Sequence, residues 1–169
     1  MRAMILKALA PMDENPAPLT LAEIPDPVPG KGEILIRVSV CGVCHTELDE
    51  IEGRTPPPRL PVIPGHQVVG RVEALGSEAN GFKIGDRVGV AWIFSVCGVC
   101  RFCKRGKENL CPEFRATGRD ANGGYAELMT VPAAFAVPIP DVFSDAQAAP
   151  LLCAGAIGYR ALRLTGLED

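Results

Sequence analysis

The stretch Cys97-Gly-Val-Cys100-Arg-Phe-Cys103-Lys-Arg-Gly-Lys-Glu-Asn-Leu-Cys111 sets four thiols at C-x2-C-x2-C-x7-C spacing. Four thiols this close can close around one ion as a tetrahedral sulfur cage, and an all-cysteine quartet is the usual make-up of a structural zinc site. The segment has little apolar matter of its own, so a metal would supply the order that a core cannot. Arg101, Lys104, Arg105 and Lys107 lie between the ligands. Their charge would offset the negative charge of four thiolates around Zn²⁺ and favour the thiolate form. Two other readings stand beside zinc. The run begins like a bacterial iron–sulfur sequence and ends in Cys111-Pro112, but seven residues rather than three precede its last Cys. Disulfides or free thiols are the third reading, and a reducing cytosol disfavours disulfides.

Outward from this lobe the chain reads as mainly β. Gly (18) and Pro (16) are abundant and spread along the length while aromatics are only 5%, which suits short strands joined by tight turns. After the turn Pro29–Gly32, Ile34, Ile36, Val38 and Val40 alternate with Leu35, Arg37 and Ser39, the period of a half-buried strand. Further strands are predicted over Val68–Leu75, Arg87–Trp92 and Tyr125–Val131, the last two each following a glycine-containing turn. The character changes near Ser144, which with Gln147 forms a capping-box pattern and forecasts a helix. Leu151, Leu152, Ala156, Tyr159, Leu162 and Leu164 follow at roughly helical spacing, Gly166 is a suitable C-cap, and Pro150 can interrupt or restart the helix. No Gly-x-Gly-x-x-Gly turn occurs, so no dinucleotide-binding unit is evident.

With 169 residues the chain can bury one good core, or one domain and the start of a second. Its net charge of −3, without a basic patch beyond the residues beside the cysteines, argues against nucleic acid. No apolar run approaches the ~18 residues of a membrane span, and the start Met1–Lys7 has no sustained apolar core of a signal peptide. Seven cysteines, an odd number at metal spacing, point to a reducing compartment, and the cytoplasm is expected.

A second constellation is Cys44, His66 and Cys153. Cys44 lies just past the first strand in Cys41-Gly-Val-Cys-His-Thr46, His66 sits in the turn Pro61–Gln67, and Cys153 lies early in the C-terminal helix. Two thiolates and an imidazole can form a three-ligand zinc site whose fourth position stays open to water or substrate, the ligand set that alcohol dehydrogenase exemplifies. Each residue alone has a duller reading, as a small buried filler or a structural histidine. Cys41, Cys44 and His45 also spell the C-x-x-C-H haem attachment signature, which needs an exported, oxidising context.

Taken together these stretches resemble the catalytic domain of zinc-dependent medium-chain alcohol dehydrogenases. The likeness rests on Cys41–Leu48, Pro64-Gly-His-Gln-Val-Val-Gly70, Gly85-Asp-Arg-Val-Gly89, the four-cysteine lobe, Gly123-Gly-Tyr-Ala-Glu127 and Ala148–Gly155, in the family's order. It implies a GroES-like β-barrel with a projecting structural-zinc lobe and a C-terminal helix. The expected division is 1–150 as catalytic domain, with the lobe at 95–113, and 151–169 as the start of a helix leading to a nucleotide-binding domain. By the same resemblance two zinc ions are expected per chain. Cys44, His66 and Cys153 would carry the catalytic one, and Cys97, Cys100, Cys103 and Cys111 the structural one. Thr46 matches the hydroxyl residue that accepts the alcohol's proton, and His45 a position near the pyrophosphate of NAD or NADP. Trp92 matches a large aromatic of the substrate pocket, which favours small alcohols or aldehydes. Glu47 stands where Asp is usual, one layer behind the metal.

Three positions depart from the family pattern. Gln67 replaces an acidic residue that can approach the metal, which leaves the site formally neutral and the zinc a stronger Lewis acid. Asp49 stands where many members end the proton relay with a histidine, and Ile157 where some have Thr near the nicotinamide. The family continues into a Rossmann domain and then returns to the barrel. This sequence is therefore expected to be a piece of a longer, homo-oligomeric NAD(P)-dependent enzyme, inactive in hydride transfer alone, with a bare apolar face where the nucleotide domain would dock. The other classes are a non-catalytic zinc-binding structural or interaction module, and a zinc-free reductase relative, which the two cysteine sets argue against.

Overall fold

The computed structural model describes residues 1–167. In chain order its elements are β1 (Arg2–Leu6), β2 (Leu19–Glu23), β3 (Glu33–Gly42), helix α1 (His45–Ile51), β4 (Gln67–Leu75), β5 (Arg87–Val90) and β6 (Ile93–Ser95). There follow β7 (Arg115–Ala116), β8 (Leu128–Pro132), β9 (Ala136–Pro138), α2 (Asp145–Pro150) and α3 (Ala156–Thr165). A five-stranded antiparallel sheet of order β8-β3-β4-β5-β9 is the centre. The β1-β2 ribbon joins it through isolated bridges Ala3↔Ala126 and Leu6↔Val62, and the β6-β7 ribbon forms the base of the cysteine lobe.

The alternation read in 34–40 holds in part: Ile34 and Ile36 are fully buried while Arg37 and Ser39 face out, but Leu35 is buried as well and Val40 packs with Val69, Ala148 and Ala149 on the other face. Two bulges, at Leu35/Ile36 and Val38/Val40, bend the strand toward closure. The core cluster joins Ile34 and Ile36 to Val68, Val72, Val88, Val90 and Val131. Val69, on the opposite face of β4, packs with Ala148 and Ala149 of α2. Because β4 is buried on both faces, it reads as a nearly continuous apolar run rather than an alternating one.

Two predicted strands are shorter than expected. The one begun at Arg87 ends at Val90, leaving Trp92 in a bend, and the one expected from Tyr125 begins at Leu128. Gly123 and Gly124 are spent instead on close packing. A Cβ at Gly123 would lie 2.1 Å from the Gly65 carbonyl oxygen, so this segment lies flat against the His66 turn before pairing can start.

The capping box is present, with the Gln147 N–H donating to Ser144 Oγ at 3.3 Å and the Ser144 N–H to Gln147 Oε1 at 3.0 Å. Arg87 fixes the start of α2 on the sheet by donating to Asp145 (2.8 Å) and to the carbonyls of Pro140 (3.0 Å) and Phe143 (2.7 Å). Pro150 ends α2, Leu151–Gly155 form a π-helical turn, and α3 runs on to Gly166 at φ +71°. The apolar residues of α3 are not a core face: Ile157, Tyr159, Leu162 and Leu164 are each more than 60% exposed. The last two residues of the expected connecting segment, Glu168 and Asp169, lie outside the described residues.

Candidate metal centres

Antiparallel register gathers the first centre. Gly42 at the end of β3 pairs with Gln67 at the start of β4, and Val68 pairs with Val90 at the end of β5. Cys44, His66 and Trp92, each just outside its strand, are thereby delivered to one end of the sheet. The fourth contributor arrives from above: Leu152 sits over Gly89, where a Cβ would lie 2.9 Å from a Leu152 methyl, and this seats the π-helical turn that carries Cys153. A π-turn widens the helix and re-aims one side chain, which is why such turns recur at functional sites.

The ligand atoms of Cys44, His66 and Cys153 lie within 4.8 Å of one another. The two sulfurs are 3.9 Å apart, close to the ~3.8 Å edge of a tetrahedron whose vertices stand ~2.3 Å from a central zinc. His66 is 1% exposed, with Nδ1 2.6 Å from Glu47 Oε1. The carboxylate thus stands in short, buried charge contact with the ring. Nε2 is buried with no partner among the described residues. A buried, unpartnered imidazole nitrogen beside two thiols is costly unless an ion uses its lone pair. The donor set therefore fits a zinc ion.

Glu47 also accepts from the Cys44 N–H through Oε2 at 2.8 Å, so a single carboxylate ties one ligand's backbone to another's ring. Burial opposes the charged form of His66, but Glu47 and Cys44 outweigh it and raise its pKa. Burial likewise opposes the Cys44 thiolate, yet hydrogen bonds from Thr46 prevail and lower it. Burial and the neighbouring Cys44 push Cys153 up to about 11. Without an ion only one of the two thiols ionises readily; an ion would take the place of the other's proton.

Around this trio, Thr46 Oγ1 is 3.5 Å from Cys44 Sγ. Trp92 stands edge-on to His66 with ring centroids 4.9 Å apart. Gln67 is buried over Gly42, where any Cβ would come within 2.7 Å of its Oε1. His45 is exposed on α1 with Nε2 3.5 Å from Asp49 Oδ1, and Asp49 is paired with Arg54 at 2.5 Å. The haem signature is incidental. Cys41 points into the core beside Gly65 and Gly124, and its burial pushes the thiol up to about 12.

In the second centre the four lobe sulfurs lie within 4.8 Å of one another. Cys100–Cys103 is 3.5 Å, Cys97–Cys111 3.6 Å and Cys97–Cys103 4.0 Å. These distances fit the edges of a sulfur tetrahedron that could hold one ion, far beyond the ~2.05 Å of a disulfide and too tight for a multi-iron cluster between them. Backbone N–H groups of Cys97, Cys100 and Glu113 point at the sulfurs. The Cys100 thiol is lowered to about 7, first by the backbone at Cys103 and not by the interleaved cations. Arg101 lies instead over the Phe102 ring at 4.6 Å.

Sequence reasoning missed the Arg87 clamp, the Gly89–Leu152 seat and Glu50, a buried carboxyl one helical turn from Glu47. Only the third had a local signal, since positions 47 and 50 share a helix face.

Comparison with known proteins agrees with this geometry. The chain is 52% identical to the Mycobacterium tuberculosis protein named probable alcohol dehydrogenase AdhA, over 172 residues covering 99% of this chain and 49% of that one. A sorghum cinnamyl alcohol dehydrogenase structure superposes with TM-score 0.84 at 31% identity, covering 99% of this chain and 49% of that one. A cobalt- and zinc-bound thermostable alcohol dehydrogenase of Pyrobaculum aerophilum does so with TM-score 0.82 at 34% identity, covering 95% and 48%. The chain spans about half the length of the curated relatives it matches. The alcohol dehydrogenase GroES-like domain pattern matches residues 30–141, and the chain belongs to that family.

Proposed function

We propose that the chain is the zinc-binding, substrate-facing part of an NAD- or NADP-dependent alcohol dehydrogenase, with one zinc at Cys44, His66 and Cys153 and a second in the cysteine lobe. The observation that carries this reading is the unpartnered Nε2 of His66 facing two thiols 3.9 Å apart. When bound there, zinc supplies Lewis acidity that lowers the pKa of an alcohol oxygen in its open position. Thr46, whose Oγ1 lies 3.5 Å from Cys44 Sγ, would take the proton, and the exposed His45–Asp49 pair is the next polar group along α1. Exposed His45 suits a cofactor phosphate, and Trp92 walls the substrate side beside His66. Buried Gln67 adds no charge, so two thiolates and a neutral imidazole balance the ion. Hydride transfer itself belongs to the nicotinamide.

Trp92 argues for small alcohols or aldehydes, whereas the sorghum relative is named for a bulkier one, so chain length of the alcohol is the first specificity to assay. A homo-oligomer in a reducing compartment is the fitting state for the complete enzyme. The test is metal analysis of the purified chain and of Cys153→Ser. We expect two zinc ions per chain, one in the variant, and no NAD⁺-dependent alcohol oxidation by these 169 residues alone. One zinc in both proteins would replace this reading with that of a structural zinc module.

A further inference from the structure

The chain has four asparagines, Asn15, Asn80, Asn109 and Asn122, and two of them precede glycine. Asparagine is thermally labile, because the backbone nitrogen of the next residue can attack its side-chain amide carbon. The attack needs a nitrogen that is unblocked and free to move. Pro16, after Asn15, has no N–H to give up. Leu110, after Asn109, carries a branched side chain, and its N–H donates to the Lys107 carbonyl at 2.9 Å. The two Asn-Gly pairs have neither obstacle in their local chemistry, since glycine has no Cβ. Their settings differ. Asn80 and Gly81 are both exposed in the turn between β4 and β5. Among the described residues the Gly81 N–H has no hydrogen-bond partner, and nothing lies within 4 Å of an added Cβ. The Asn80 amide is held only by Nδ2 donating to the Glu78 carbonyl at 2.8 Å, on the surface. Asn122 is tied at both ends. Its Oδ1 accepts from the Ile63 N–H at 3.2 Å, and the buried Gly123 donates its N–H to the Ile63 carbonyl at 2.7 Å. The Gly65 carbonyl oxygen, 2.1 Å from a Cβ at Gly123, leaves the backbone no room to swing.

We propose that Asn80 is a modification site, deamidating spontaneously through a cyclic imide with Gly81, while the fold shields Asn122 from the same reaction. The Gly81 nitrogen bonds to Asn80 Cγ, the Cγ–Nδ2 bond breaks, and ammonia departs with the proton that Gly81 gives up. Water then opens the ring at either carbonyl. The product is aspartate at position 80, or its isoaspartyl isomer, in which the backbone runs through the former side chain. One water is consumed and one ammonia released, with no change of oxidation state. Either product puts a carboxylate where Nδ2 donated, so the Glu78 carbonyl loses that tie. Glu78 stands at φ +61°, a conformation unfavourable for an L-residue without support, so the turn loosens. The reaction also adds one negative charge to a chain already at −3. The shielded asparagine is the one that braces Ile63, three residues before His66. The labile one lies in an outer turn, where the metal centres do not depend on it.

The test is peptide mapping by mass spectrometry on the folded chain, held at body temperature in mildly alkaline buffer and sampled over time. Chromatography separates the aspartyl from the isoaspartyl peptide, and only passage through the imide yields the second. Attack at Gly123 must first open both Ile63 bonds, so Asn122 should react about thirtyfold more slowly than Asn80 (about 2 kcal/mol). In denaturant, where neither setting survives, the two Asn-Gly sites should react within about twofold of each other. Asn80→Gln should remove the main deamidated species from the intact-mass spectrum. Equal rates at Asn80 and Asn122 in the folded chain would overturn the assignment. So would a deamidated Asn80 peptide without its isoaspartyl form, or a gap between the two sites that persists after unfolding. A main deamidated species retained in Asn80→Gln would place the reaction elsewhere and overturn it too. The wild-type chain supplies the deciding comparison, and none of these outcomes depends on which ion the cysteines hold.

Discussion

Gly65, the residue before His66, offers the sharpest test of how the backbone aims the ligand. Its φ is +100°, and a Cβ built there would meet Tyr125 Cδ1 at 2.6 Å and Cys41 Sγ at 2.8 Å. Gly65→Ala therefore combines two penalties. Holding an L-residue at positive φ costs about 1–2 kcal/mol, and forcing a methyl into a packed site costs about 1–3 kcal/mol. The sum, about 2–5 kcal/mol, corresponds to a Tm lowered by about 4–20 °C in a domain of this size. Gly85→Ala is the matched control: its φ is +91°, but among the described residues nothing lies within 4 Å of the added Cβ. That variant carries only the backbone penalty of about 1–2 kcal/mol. Thermal unfolding of both, followed by circular dichroism on zinc-loaded protein, separates the two contributions. Zinc content should show a second difference. Relief of the clash moves the 64–66 turn, so Gly65→Ala should lose the trio's ion and keep the lobe's, while Gly85→Ala keeps both. Equal Tm losses and equal zinc in the two variants would refute the claim that close packing at Gly65 aims His66.

Other expectations follow from the same structure. Gly89→Ala should press on Ile139, whose Cδ1 lies 2.7 Å from the added Cβ, and displace Leu152, whose methyl lies at 2.9 Å. It should lower zinc content by the Cys153-bound ion with the lobe ion retained, and two retained ions would count against the seat. In metal-free protein at pH 8, alkylation read by mass spectrometry should reach Cys100, lowered to about 7, well before Cys41 and Cys103, both raised to about 12. Zinc should protect the four lobe thiols, and uniform labelling would contradict the cage. The pKa of Glu52 is lowered first by the Met12 N–H and then by Arg54. Its contribution to stability is thus present above the ordinary carboxylate pKa and lost as pH falls through the lower folded value. Glu52→Gln should lower Tm at pH 7 and flatten its fall below about pH 4; an acid limb identical to wild type would exclude this tie.

Legibility in the sequence followed the range of the interaction. Strand β3 and the start of α2 were readable because alternation at 34–40 and the Ser144–Gln147 box are local, spanning a few residues each. The lobe was readable for the same reason: its four sulfurs lie within one short segment, and their spacing is itself the geometric constraint. The first centre was different. That Cys44, His66 and Cys153 belong together came from family likeness, since the chain separating Cys44 from Cys153 spans most of the molecule. Strands β1, β2, β6, β7 and β9, and helix α1, gave no decisive local pattern. They are short, and their burial depends on partners far along the chain.

The amino-acid order alone thus fixed the β character, the capped helix and the sulfur cage, because each is written in short-range spacing. Tertiary structure decided everything that depends on register. The Gly42–Gln67 pairing brings Cys44 to His66, Gly89 admits Leu152 and seats Cys153, and Glu47 is carried out of water behind the ring. The reason is physical: a sheet converts sequence separation into adjacency only through its pairing and twist, and burial, which makes an ordinary glutamate consequential, exists only once the layers have closed.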